Sequence, residues 1–348
     1  MKIYQTIIIG AGQAGLVMGY YLKQLDQSFL IIDKSEAIGS SWKSRYDSLI
    51  LFTPRQYSSL PGLKLAGNPH DYPTKDEIAD YLITYRETFQ LPVQTGIEVS
   101  RIWKENNHFL IETNKQIYEA ENVVVATGPF QKPHIPAFTK NLSTDILQLH
   151  SSEYKNPANL RKGNVLVVGG GSSGGQIAVE LSEERETYLS IGHKLQFLPN
   201  QIGNKSIFWW FDMLGITKAA PDSWLGRKVR AKGDPIFGYE LKKAIEMGKV
   251  ILKSRAISGE GTTVQFQDKS ILHVQNIIWA TGFQSDYSWI NIKGILDQQG
   301  MPLQTKGETN IPGLYFLGLP WQTCRGSALL LGVGKDAQYI AELIDKRD

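Results

Sequence analysis

The chain has 348 residues, 42% of them hydrophobic and 20% charged, proportions of an ordinary globular protein long enough for two domains with separate cores. Its 37 Lys and Arg against 34 Asp and Glu leave a net charge of +3 without a basic stripe, which excludes an electrostatic footprint for nucleic acid. A single cysteine, Cys324, excludes an intramolecular disulfide, a four-cysteine metal centre and a C-x-x-C redox pair, and the six dispersed histidines have no ligand spacing, so no metal is expected.

At the start of the chain, Lys2 precedes Ile7-Ile8-Ile9 and then glycines, too short an apolar run for a signal peptide, and no run of about 18 apolar residues follows. The aromatic patch Ile207 to Phe211 is broken by Asp212 and Gly215. A cytoplasmic protein without stable membrane insertion is expected.

The first element is a β-rich stretch from Ile3 that runs into Gly10-Ala11-Gly12-Gln13-Ala14-Gly15 and a helical stretch, Leu16 to Leu25. The first glycine permits the tight turn, the second lets the backbone approach a pyrophosphate, and the third lets helix and strand pack closely. The helix N-terminus then presents free N–H groups to the phosphates. A second strand, Ser28 to Ile32, ends at Asp33 and Lys34, and Asp33 stands eighteen residues beyond Gly15, where a carboxylate accepts hydrogen bonds from a ribose. An apolar strand, Val123-Val124-Val125, ends in Ala126-Thr127-Gly128.

The arrangement then repeats. Val165 to Val168 leads into Gly169-Gly170-Gly171-Ser172-Ser173-Gly174 and a helical stretch to Leu181, and Ile277-Ile278-Trp279 ends in Ala280-Thr281-Gly282. The Ala-Thr-Gly turns follow their glycine fingerprints by 117 and 112 residues, and each is expected to border its cofactor at the carboxyl end of a parallel sheet. Eighteen residues beyond Gly174 stands Gly192, not an acid, with Ser190, His193 and Lys194 beside it. These residues either donate to a 2′-phosphate, which favours NADPH with NADH tolerated, or are solvated loop residues. Within the second unit, Ser206 to Lys232 is a Trp-rich and basic excursion, read as helical and lying over the cleft or as a packing or dimer surface.

The expected fold is α/β with two Rossmann-like dinucleotide-binding domains. The first dinucleotide domain takes residues 1–155 plus 286–348, and the second, the NAD(P)H domain, 156–285 with the aromatic insert 206–232, is inserted in it. Two thiols are needed to pass electrons from flavin to a disulfide, and Cys324 alone cannot provide them.

The stretch Gly39-Ser40-Ser41-Trp42-Lys43-Ser44-Arg45-Tyr46-Asp47-Ser48-Leu49, continuing through Leu51-Phe52-Thr53-Pro54, resembles the G-x-x-W-x-x-R-Y-x-x-L-x-L-x-T-P pattern of flavin-containing monooxygenase relatives, especially the bacterial CzcO-like branch. His150 to Tyr154 is similar to the end of the monooxygenase fingerprint F-x-G-x-x-x-H-x-x-x-W/Y, and the tail Pro312 to Gly318 is similar to the family's, so the resemblance spans essentially the whole chain. Thr144 and Ile146 replace the fingerprint's Phe and Gly, and Phe52 stands where many members carry an asparagine that assists oxygen transfer.

The resemblance implies FAD together with NADPH or NADH. Hydride passes to the flavin, O2 adds at its C4a position, and one oxygen goes to a soft sulfur, nitrogen or carbonyl substrate. It implies a catalytic neighbourhood at Phe52 and Thr53, FAD contacts at Ser41, Trp42, Arg45 and Val99, and a close approach of Gly318 and Ser327 ahead of the final helix. Arg45 meets a phosphate or anchors a loop, and His150 orders the connection between domains or moves a proton. The expected partners are a small-molecule substrate and O2, with a homodimer also compatible. Because Phe52 cannot hydrogen-bond to a flavin peroxide, a diaphorase, quinone reductase or uncoupled oxidase is the alternative. A third reading, an accessory protein of cation transport, rests only on the naming of CzcO-like relatives.

Overall fold

The computed structural model describes residues 2–347 and shows a mixed α/β protein built on two largely parallel sheets. In the first, Ile3–Ile9 pairs in parallel with Phe29–Ile32 on one side and Ile117–Val125 on the other. Val93–Gln94 extends the sheet beyond Phe29–Ile32, and Leu314–Phe316 extends it beyond Ile117–Val125. Strands Val99–Glu105 and His108–Thr113 form an antiparallel meander that feeds Ile117–Val125.

The run Ile7-Ile8-Ile9 is apolar at every position because both faces of this sheet are covered. Ile8, Ile31 and Val124 pack against the helices Gln13–Gln24 and Leu330–Asp345, whereas Ile7, Ile9, Leu30 and Val123 face the meander residues Ile102, Phe109 and Ile111. The first helix lies close on its sheet at Gly19, where an added Cβ would come 2.8 Å from Ile31 Cδ1.

The second sheet has five parallel strands in the order Val250–Lys253, Thr187–Ser190, Val165–Val168, Asn276–Trp279 and Leu147–His150. Helices Ser172–Leu181 and Glu240–Glu246 cover one face. A three-stranded antiparallel sheet, Ala256–Glu260, Thr263–Phe266 and Ile271–His273, covers the other through Val264 and Phe266. Both sheets therefore follow one plan: strand, glycine turn, helix, strand, and later a meander that returns to a strand beside the first.

Strands from 3–125 and 304–316 build the first sheet, and strands from 147–279 the second. Leu147–His150, counted in the sequence reading with residues 1–155, lies instead in the second sheet, paired with Asn276–Trp279. Its C-terminal end is held twice, since His150 Nε2 meets Gly282 O at 3.0 Å and the His150 N–H donates to Glu153 at 2.7 Å. The chain crosses between the sheets on two short antiparallel strands, Lys132–Pro133 and Phe283–Gln284, joined further by the Lys132–Asp286 ion pair. The excursion 206–232 is helical over Ile207–Met213 and Trp224–Lys232.

Candidate active site

The two glycine turns share one geometry. Gly10 and Gly169 adopt φ of +110° and +122°, and a Cβ on either would strike the carbonyl of Ala126 at 2.5 Å or of Ala280 at 2.2 Å. Each first glycine thus packs against the Ala-Thr-Gly turn of its own unit. Gly15 and Gly174 lie against the carbonyls of Gly10 and Gly169, where a Cβ would sit at 1.8 and 1.9 Å. Gly12 and Gly171 differ: each is the N-cap of its helix, makes no side-chain cap, and directs its Cβ position into space with nothing within 4 Å. An open cradle at an uncapped helix N-terminus, with Gln13 and Ala14 or Ser172 and Ser173 in the first turn, is what a pyrophosphate requires. The residues fit a dinucleotide in both units.

Asp33 Oδ2 accepts the Ala11 N–H at 2.6 Å and Oδ1 accepts the Ser35 N–H at 2.7 Å. The carboxylate therefore ties the glycine turn to the second strand while retaining lone pairs for a ribose. Lys34 is exposed beside it, and Val99, half-buried, opens its strand against the core that contains Ile97 and Ile102. Gly128 and Gly282, at φ of +68° and +82°, leave open space at the ends of both Ala-Thr-Gly turns. Gln131 donates to Thr127 Oγ1 and Gly128 O and accepts from the Asp286 N–H, and Thr281 Oγ1 donates to His134 O, so each turn is fastened to a crossing strand.

Several other expected residues are engaged elsewhere. Ser190 is buried, and its hydroxyl donates to Ser254 O at 2.8 Å and accepts from the Ala256 N–H at 3.0 Å, which withdraws it from any 2′-phosphate. His193 and Lys194 are exposed beyond it. Arg255, which spacing gave no reason to single out, lies over Gly192, where a Cβ would meet its guanidinium at 2.6 Å. Arg255 thus joins His193 and Lys194 at the acid-free ribose position.

The Arg45 guanidinium lies 5.2 and 5.1 Å from the rings of Phe130 and Phe283, and its Nε donates to the carbonyl of exposed Ser41. Trp42 is half-buried against the first core. Thr53 Oγ1 is paired with Ser58 Oγ at 2.8 Å in a buried contact, and Phe52 stacks on Phe237 and Phe208 with centroids 5.1 and 6.1 Å away. Gly318 packs beside Ala14, and Gln13 Nε2 donates to Ala328 O at 3.4 Å, so the loop 318–329 crosses the start of the first helix. Ser327 is sealed inside that loop, where its Oγ accepts from the Thr323 and Cys324 N–H groups.

His150 is wholly buried. The Ser152 N–H donates to its Nδ1, so the proton belongs on Nε2, which donates to Gly282 O. Burial lowers its pKa below the ordinary 6.5, and the neutral ring orders the crossing between the units.

Residues 7–195 match the family model described as pyridine nucleotide-disulphide oxidoreductase. The chain is 56% identical over 340 residues, 98% of its length and 99% of the relative's, to the "uncharacterized oxidoreductase CzcO" of Bacillus subtilis. It belongs to this oxidoreductase family, within its CzcO-like group. A flavin-containing monooxygenase from Stenotrophomonas maltophilia superposes with a TM-score of 0.83 at 26% identity, covering 100% of this chain and 99% of the other. A protein of Arabidopsis thaliana described as a probable indole-3-pyruvate monooxygenase is 28% identical over 96% of this chain and 86% of its own. The CzcO-like chain is thus an oxidoreductase of the flavin monooxygenase structural class, a family that implies FAD and a nicotinamide cofactor. Among the described residues no helix is long and apolar enough to cross a membrane, and no group of His, Cys, Asp and Glu could hold a metal.

Proposed function

We propose that this CzcO-like chain is a monooxygenase that uses FAD, NAD(P)H and O2 to oxygenate a soft sulfur, nitrogen or carbonyl substrate. The observation that carries the reading is the pair of matched glycine cradles, open at Gly12 and Gly171, in a chain that superposes end to end on a flavin monooxygenase. FAD in the first unit would supply hydride acceptance and oxygen activation, chemistry that no side chain provides. Gly10, Gly12, Gln13, Ala14 and Gly15 would hold its pyrophosphate on the helix N-terminus, with Asp33 at the ribose. The 169–174 turn would hold the nicotinamide dinucleotide in the same manner, within an inserted second unit bounded by the two crossing strands.

The protein's own contribution is orientation and exclusion of water. The excursion helix Ile207–Met213 packs Phe208 and Phe211 against Phe52, Tyr57 and Leu331 of the first unit, an apolar cover over the approach to the loop 318–329. Arg255, His193 and Lys194 support NADPH as the preferred reductant. The 2′-phosphate carries a charge that Arg255 and Lys194 would attract, with His193 as a further hydrogen-bond partner and no acid at that position to repel it.

Phe52 supports the diaphorase or uncoupled oxidase as a second reading, because its ring packs against Phe208 and Phe237 and presents no hydrogen-bond donor. Turnover under labelled O2 with thioethers, amines and ketones separates the two. The monooxygenase reading expects one labelled oxygen per substrate oxidised. NADPH consumption that yields only peroxide or reduced quinone would establish the second.

A further inference from the structure

The helix Trp224–Lys232 starts at the Ser223 N-cap, whose Oγ accepts the Gly226 N–H at 3.0 Å. Gly226 lies so tightly on the preceding turn that a Cβ there would meet Ala220 O at 1.9 Å, which sets the face that turns inward. At about 3.6 residues per turn, Leu225, Gly226 and Val229 share this inner face. Trp224 stands at the middle of the outer one, with Lys228 and Lys232 to one side and Arg227 and Arg230 to the other. Gly226 is buried and Leu225 and Val229 are half-buried, whereas Trp224 and all four cations are exposed.

Trp224 is 69% exposed, and Met213 and Leu214, at the end of the helix Ile207–Met213, protrude at 54% and 59%. Among the described residues the side chains of Arg227, Lys228, Arg230 and Lys232 make no ion pair or hydrogen bond, while Lys228 Nζ lies 4.8 Å from the centre of the Trp224 ring. The helix contains no acid, and Asp234 beyond it stands 3.7 Å from Arg325 instead. Its four cations exceed the net +3 of the entire chain, so this one helix accounts for the positive sign of the molecule.

A protein partner that read these residues would need acids at set positions and a hollow for the protruding ring. A bilayer with anionic headgroups needs neither, because its surface is negative throughout, an indole settles at the headgroup level, and long Lys and Arg side chains extend to the phosphates. We propose that the helix Trp224–Lys232 docks this protein reversibly on an anionic lipid surface, with Trp224 in the interface and Arg227, Lys228, Arg230 and Lys232 on the phosphates around it. So short a helix buries too little for permanent insertion, which makes the contact peripheral and salt-sensitive. The same excursion packs Phe208 and Phe211 against Phe52 and Tyr57, so the docking helix and the apolar cover of the proposed site belong to one piece of chain. The docking surface uses no residue of either dinucleotide cradle and does not depend on the monooxygenase reading.

Flotation of the FAD-loaded full chain with lipid vesicles tests it. The wild type is expected to bind vesicles of equal parts phosphatidylglycerol and phosphatidylcholine at least tenfold more strongly than vesicles of phosphatidylcholine alone, and to be released when salt is raised from about 0.05 to about 0.5 M. Each replacement of Arg227, Lys228, Arg230 or Lys232 by Gln should weaken binding to the anionic vesicles about fivefold. Trp224→Ser should weaken it at unchanged charge, and Trp224→Phe should retain most of it. All five side chains are exposed, so FAD content and thermal midpoint should stay at the wild-type values, and the lipid and salt arms need no variant. Absence of flotation, equal binding to neutral vesicles, insensitivity to salt, or undiminished binding in the Gln variants or in Trp224→Ser would each overturn the proposal. Retention on duplex DNA or polyglutamate as strong as on the anionic vesicles would overturn it too, in favour of a partner that is not a membrane.

Discussion

Gly12 and Gly171 are interchangeable in geometry but not in what they would cradle, and single methyl groups separate the two sites. Gly12→Ala adds a Cβ to open space, so the chain should fold, retain nicotinamide binding and lose most of its FAD on purification. Gly171→Ala should keep FAD and raise the KM for NADPH about tenfold, the effect of roughly 1.4 kcal/mol lost from one contact. Measured FAD content and steady-state kinetics check both. Arg255→Ala should lower the NADPH-to-NADH preference several-fold, read from the ratio of the two kcat/KM values.

His150 gives a pH dependence. Its folded pKa is depressed, first by burial and then by Arg45 and His134, against the opposing pull of Gly282 O and Glu153. The neutral ring's contribution is complete above the unfolded value near 6.5 and is lost as pH falls through the lower folded value. The thermal midpoint should therefore decline less between pH 7 and pH 5 in His150→Gln than in the wild type. At this scale the glycines and Asp33 were legible, because their spacing encodes backbone geometry. Ser190 was not, because its partners Ser254 and Ala256 lie more than 60 residues away, and Arg255 had no spacing to mark it.

At the scale of elements, the helix Lys75–Thr88 is set by a complete capping box. Thr74 Oγ1 accepts the Glu77 N–H, Glu77 Oε2 accepts the Thr74 N–H, and Arg55 pairs with the same carboxylate. Thr74→Ala should cost about 1 kcal/mol. The thermal midpoint should fall by a few degrees, which calorimetry can measure. The helices after each glycine turn were readable from the strand and glycine fingerprint that precede them, but the path of 206–232 was not. Its aromatic residues could equally have served a dimer face, and it is the packing of Phe208 and Phe211 with Phe52 that turns this part of the excursion inward.

At the scale of the whole molecule, the stretch that carries the monooxygenase-like pattern turns out to fasten the two units together. Tyr46 is buried in the second unit's core and its hydroxyl donates to Gln176 Oε1 at 2.9 Å. Gln176 donates back to Ile50 O, the Asp47 N–H donates to Lys155 O, and Asn156 donates to Asp47. Burial pushes the Tyr46 pKa up to about 12, so this hydroxyl stays protonated and donating across the working pH range. The duplicated plan was visible in the sequence because both fingerprints and both Ala-Thr-Gly turns recur at matched spacing. This strap was hidden, since Arg45 and Tyr46 look alike in a motif, yet one lies against the Phe130 and Phe283 rings and the other spans the seam.

The direct test of hydride passing from the second cradle to the first, and of oxygen then passing to a substrate, is anaerobic mixing of the FAD-loaded protein with NADPH followed by O2, with the flavin spectrum recorded throughout. The account predicts that NADPH bleaches the flavin, and that oxidised flavin returns through a transient band distinct from both end states. No bleaching with NADPH or NADH would contradict the reading of residues 169–174, and bleaching followed by direct return of the oxidised spectrum, with substrate present, would contradict the monooxygenase.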